Sequence, residues 1–162
     1  MAQREQPDRN ETAAERSDRN WNELLQELRV TQIGNQILAG FLLMLPFQAR
    51  FAELSPTLFA IFVMAVLSGT LTTLLMVAPV ALHRQLFRRH VKKGLVDAGH
   101  ALATAGLACL ALTITLVTGL VIGAALGETA GIVAIAVAGA GFVAVWLVLP
   151  LGLRKRLTSA EQ

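Results

Sequence analysis

Four long stretches of the chain, residues 30–47, 57–82, 98–122 and 130–153, hold 18, 26, 25 and 24 residues without one Asp, Glu, Lys or Arg. All 14 Lys and Arg and all 11 Asp and Glu residues fall between or outside them. A bilayer hydrocarbon core about 30 Å thick takes roughly 20 apolar residues at a helical rise of about 1.5 Å each. Three of the stretches exceed that length and the first approaches it. Within lipid every backbone N–H and C=O must be satisfied internally, which leaves helices or a closed barrel. Runs such as FAIFVMAVL and GIVAIAVAGAGFVAVWLVL lack the alternation of barrel strands, so the spans are helical. The expected fold is therefore all-α: a polytopic membrane protein with four transmembrane helices in an antiparallel bundle.

Composition agrees. The chain is 54% hydrophobic and 15% charged, against roughly 25% charged in a soluble domain. An ordinary soluble enzyme, a disordered protein and a secreted disulfide scaffold are excluded. Cys109 is a lone cysteine in mid-span, expected to be a small packing residue, with no disulfide and no metal set. No cofactor motif is present. The sequence pI of about 9.8 comes from a basic rim and points to anionic headgroups before nucleic acid.

The first stretch is the least apolar. It opens with Thr31, Gln32, Asn35 and Gln36 and closes at Pro46, so an interfacial or soluble helix competes with a span there. A signal peptide does not fit, because some thirty polar residues precede the apolar run. Basic residues then set the orientation. The middle connection carries Arg84, Arg88, Arg89, Lys92 and Lys93, the tail carries Arg154, Lys155 and Arg156, and Arg16, Arg19 and Arg29 precede the first span. Arg50 alone lies in the other connections. This predicts both termini on the cytoplasmic side of four spans, and fits better than a three-span arrangement. The basic middle connection would also attract anionic phospholipid headgroups.

Along the chain, residues 1–17 are polar and are expected to be disordered. A single membrane domain covers 18–153, and 154–162 form a short basic tail. Asn20 reads as an N-cap, with Glu23 three residues on. Trp21, Leu24, Leu25 and Leu28 give an amphipathic N-terminal helix that runs into the first span and offers a cytoplasmic handle. Ser55-Pro56 is a helix start, Pro79 is expected to kink the second span, and Gly94 to end its extension. In the last two stretches 19 of 49 residues are Ala or Gly, against 8 of 44 in the first two. Small residues allow backbones to approach in lipid, so spans three and four are expected to form a tight hairpin and the rigid core. Its turn should lie at Gly127-Glu128.

Candidate functional residues are few. Gln32, Asn35 and Gln36 recur at helical spacing near one end of span one, as a polar solute lining, a dimer contact or interhelical glue. Thr115, Gly119 and Gly123 continue to Gly127 and Gly131 every fourth residue, a packing face within the hairpin or between copies. Asp97 and His100 form a candidate interfacial pair, as a hydrogen bond at the membrane surface or a proton relay. Glu128 stands alone in its turn, which leaves paired-carboxylate chemistry without a second member. No enzymatic activity is expected.

The segment DRNWNELLQELRVTQIGNQILAGFLLMLPFQARFAEL (18–54), with APVALHRQLFRRH (78–90) and AGHALA (98–103), resembles an uncharacterised family of bacterial integral membrane proteins. The resemblance continues through the Ala/Gly-rich hairpin. It implies a four-span protein of the bacterial cytoplasmic membrane with no established activity or ligand. Some members of that family carry a sodium:proton antiporter label. Proton-coupled exchange normally needs a membrane-embedded acid, and the four stretches contain none. Two expectations follow: a non-enzymatic accessory component acting through helix association, or a small transporter subunit with a polar face on span one.

Overall fold

The structure, a computed structural model, describes residues 13–86, 92–148 and 150–151. Four helices follow one another: α1 (Ala13–Met44), α2 (Pro56–Leu86), α3 (Lys92–Leu126) and α4 (Glu128–Val143). Two 3-10 turns, Leu45–Phe47 and Ala49–Glu53, join α1 to α2, and a π-helical turn, Ala144–Val148, extends α4. All four helices contain a segment long and apolar enough to cross a membrane: Arg19–Phe47, Pro56–Leu82, Ala98–Leu126 and Glu128–Trp146.

Helix α1 is where the structure departs most from expectation. It begins at Ala13, so residues 13–17 are helical rather than disordered, and Asn20 lies inside the helix rather than capping it. Residues 1–12 lie outside the described residues. The stripe Trp21, Leu24, Leu28, Asn35 and Leu42 is buried, at the spacings of three, four and seven that keep one face inward. Trp21, Leu24 and Leu28 pack with Met76 of α2 and Ala103 of α3. The amphipathic segment is thus part of the bundle and not a free handle. The span-length segment that holds the first apolar stretch runs from Arg19 to Phe47, with its charges confined to the part up to Arg29. Its charged face, with Glu23, Glu27 and Arg29, stays exposed. Arg19 Nη1 lies 3.4 Å from Glu23 Oε1 along that face.

Helix α2 starts as its sequence predicts. Ser55 Oγ accepts from the Leu58 N–H at 3.3 Å, and Pro56 opens the helix. Pro79 sits within α2 and is almost fully buried. Gly94 is inside α3, which has already begun at Lys92, and so does not end a helix. Residues 87–91 lie outside the described residues.

The core lies among α1, α2 and α3. Its larger cluster joins Leu42 of α1, Leu58, Ile61, Phe62 and Ala65 of α2, and Leu116 and Leu120 of α3. Helix α4 contributes nothing to either buried cluster beyond the partly buried Ile135, and packs essentially on α3 alone. The expected rigid core of spans three and four is therefore displaced toward α1–α2–α3. Bulky side chains interdigitate and fill volume, whereas Ala and Gly give close approach without a side-chain core. The outward surface is apolar, with Val30, Ile33, Ile37 and Phe41 of α1 and Val133 and Val137 of α4 all exposed. Such continuous apolar surface is what lipid covers.

The π-helical turn has a local cause. Pro150 has no N–H for the carbonyl four residues before it, and its ring crowds that carbonyl. A wider turn over Ala144–Val148 relieves this.

Candidate functional site

A layer of polar side chains crosses the bundle at half its depth. Asn35 of α1 is 1% exposed, and its Nδ2 donates to the Gly69 carbonyl at 3.1 Å and to Thr73 Oγ1 at 2.8 Å. Gly69 is the midpoint of Pro56–Leu82, so Asn35 lies in mid-span rather than near one end. One step further in, the Ser68 and Thr113 hydroxyls are 2.9 Å apart. Each also lies within hydrogen-bond distance of the Cys109 carbonyl, at 2.9 and 2.8 Å. Gly69 separates the two groups. A Cβ there would stand 3.5 Å from Thr113 Cγ2 and 4.0 Å from Asn35 Oδ1. Asn35 Oδ1 is buried and has no hydrogen-bond partner among the described residues.

Several other hydroxyls in the spans are satisfied within their own helices. Thr70, Thr72, Thr115 and Thr118 each donate to the carbonyl four residues earlier, at 2.8–2.9 Å. This is how a threonine sits in lipid at little cost. The layer therefore ties α1 to α2 through Asn35 and α2 to α3 through Ser68 and Thr113.

The structure divides the trio Gln32, Asn35 and Gln36. Asn35 is buried against α2, Gln32 is half-buried and Gln36 is exposed on the outer face of α1. The three do not line one passage. Gln36 makes no hydrogen bond to the described residues, and its exposed neighbours Ile33, Ile37 and Gly40 are apolar.

Thr115, Gly119 and Gly123 lie where α3 meets α4. A Cβ on Gly131 would stand 2.6 Å from the Gly119 carbonyl oxygen and 2.8 Å from Gly123 Cα, so only glycine allows this separation. Gly139 comes within 3.8 Å of Thr115 Cγ2 by the same measure. Gly127 forms the turn with φ of 102°, a conformation that favours glycine.

At that end of the bundle the α1–α2 connection folds over the α3–α4 turn, and the two border an open cavity of about 530 Å³. Phe51 anchors the connection, meeting the ring of Phe62 edge-on at 4.9 Å and that of Phe59 at 6.0 Å. The cavity floor is apolar, with Leu45, Leu54, Leu58 and Leu120. Its rim carries Arg50, Glu53, Ser55 and Glu128. Ser55 Oγ donates to Glu128 Oε2 at 2.7 Å, linking the start of α2 to the start of α4. Arg50 Nε lies 3.8 Å from Glu53 Oε2, and its Nη2 donates to the Ala124 carbonyl at 3.4 Å. Glu128 does not stand alone, as the sequence suggested, because Glu53 borders the same cavity. Folding the connection onto the turn puts two carboxylates 75 positions apart in the chain on the lining of one cavity.

The remaining candidates are less informative. His100 is exposed on α3, and the Asp97 side chain lies outside the described residues, as do the side chains of Arg88, Arg89, Lys92 and Lys93. Arg84 is exposed. Cys109 is free and half-buried. Among the described residues no group of three His, Cys, Asp or Glu could hold a metal ion.

No curated protein and no solved structure matches the chain. A family model described as "Family of unknown function (DUF6328)" matches residues 10–150. That match takes in α1 to α4, the mid-span polar layer and the cavity at the turn end, and the chain belongs to this family.

Proposed function

We propose that the protein is a non-enzymatic component of a bacterial cytoplasmic membrane that works by associating with a second copy or another membrane protein through α1. Both termini and the basic α2–α3 connection are assigned to the cytoplasmic side, where that connection meets anionic lipid headgroups. The observation that carries the reading is Gln36. It lies one residue from the mid-span Asn35, faces outward among apolar neighbours and has no partner among the described residues. A primary amide left in hydrocarbon costs several kcal/mol by water-to-alkane transfer, on the order of 4–8. A hydrogen bond to a polar group on a facing helix recovers about 0.6–2 kcal/mol of that cost. Gly40, one turn on along the same face, has nothing within 4 Å of a built Cβ and allows a partner backbone close approach. A transport path is less well supported, because Asn35 points into α2 while Gln36 faces away from it. The acids Glu23 and Glu27, although within the span-length segment of α1, are exposed on its charged stretch.

The test is purification of a tagged copy from native membranes, with mass analysis of the intact assembly. Wild type is expected to co-purify as a stoichiometric homo- or hetero-assembly, and Gln36→Leu to release it while melting at the same temperature. A monomeric wild type, or an assembly indifferent to Gln36→Leu, would overturn the association reading.

A further inference from the structure

The cavity at the turn end has an electrostatic imbalance. Arg50 faces Glu53 and also caps a carbonyl at the end of α3. Helix α3 has no basic residue in its last turn, and among the described residues the Arg50 guanidinium is the cation that answers its C-terminal partial negative charge. Glu128 lies in the first turn of α4, whose partial positive end favours its charge, and has no oppositely charged side chain beside it among the described residues. Hydrogen bonds from the Ser55 and Thr57 hydroxyls orient its carboxylate and leave the charge in place. Below the rim the floor is leucine.

From this arrangement the geometry points to a binding site for an organic ammonium ion with an aliphatic body. The ammonium would sit at Glu128 and the aliphatic part on Leu45, Leu58 and Leu120. A bare metal ion is a poor fit, since one carboxylate and an apolar floor supply too few oxygen ligands. An anion would meet two carboxylates, Glu53 and Glu128, on the rim against one guanidinium, Arg50, which already faces Glu53 and the Ala124 carbonyl. A volume of about 530 Å³ suits a small amphiphile, and such sites combine an apolar wall with a few placed polar groups. The same chemistry could come from a free amine or from the ammonium headgroup of a membrane lipid. This inference is independent of the association proposed for α1.

The experiment uses the full chain in phosphatidylcholine nanodiscs and measures binding of n-octylammonium, n-octanoate and n-octanol by calorimetry. Octylammonium is expected to bind saturably, with octanoate and octanol at least about ten-fold weaker, the scale of one charge-assisted hydrogen bond. Glu128→Gln keeps the shape and an acceptor for Ser55, and is expected to weaken octylammonium about ten-fold. Val121→Trp fills the cavity from an exposed position on α3 and should weaken it comparably, which covers the case of a Gln variant that fails to fold. Replacing part of the phosphatidylcholine with phosphatidylethanolamine separates the sources. Weakened octylammonium binding identifies the lipid headgroup as occupant, and unchanged binding identifies a free amine. Equal affinity for the three probes, or wild-type binding by both variants, overturns the inference.

Discussion

At the scale of single residues, Asn35 shows how one amide is used in lipid. Its two donors reach the Gly69 carbonyl and Thr73 Oγ1, joining α1 to α2 at half depth. In a double-mutant cycle of Asn35→Ala and Thr73→Val, unfolding in detergent should give a coupling of about 0.6–2 kcal/mol, the range of interhelical polar contacts in membranes. Zero coupling would mean that the contact contributes nothing to stability. Gly131 is the sterically strictest position, because a methyl group there meets backbone atoms of Gly119 and Gly123, which cannot rotate away. Gly131→Ala is expected to destabilise the hairpin by about 1–3 kcal/mol, as overpacking does. Gly139→Ala, in ordinary contact distance of Thr115, should be near neutral and serves as the control. The polar trio was legible in the sequence as a group, but its division was not. Asn35 and Gln36 are adjacent, and a helix turns about 100° between them, so a small rotation of α1 decides which one is buried.

Among the elements, α1 carries the lesson. Its N-terminal half looks like an interfacial helix because Asn22, Glu23, Gln26, Glu27 and Arg29 mark one side. The other side meets α2 and α3, and Gly99 makes room for Trp21: a Cβ there would stand 2.8 Å from Trp21 Cζ3. Hydropathy averages a helix over all its faces and so does not show that the polar-looking first half of α1 has a buried side, at Trp21, Leu24 and Leu28. The buried stripe predicts a contrast within α1. Leu28→Ala should lower stability by about 1–2 kcal/mol, less than the 2–5 of a water-soluble core because lipid leaves mainly the cavity cost. Val30→Ala, at a position 70% exposed, should leave the melting temperature unchanged. Equal effects at the two positions in the same unfolding assay would argue against the buried assignment. Helix α4 behaves in the opposite way: its small residues correctly announced a close hairpin, yet did not make it part of the core.

For the whole molecule, the arrangement is a three-helix core with α4 attached through α3. In detergent, α4 amides are expected to open at lower free energy than those of α2 and α3, because fewer side chains must separate to release it. Hydrogen exchange read by mass spectrometry checks this, and uniform protection of all four helices would contradict it. By itself the sequence determined that the chain is helical, that it has four span-length segments and that the last two meet closely. Those properties follow from local quantities: hydrophobic length against bilayer thickness, backbone satisfaction in lipid, and the size of residues every fourth position. Only the tertiary structure decided which face of α1 is buried, that the core excludes α4, and that Arg50, Glu53 and Glu128 share one cavity. These depend on the rotation of each helix about its axis and on how two connections fold at one end of the bundle. In lipid, apolar burial gives little preference among such rotations, and a few specific contacts, such as Asn35 to Gly69 and Ser55 to Glu128, fix them instead.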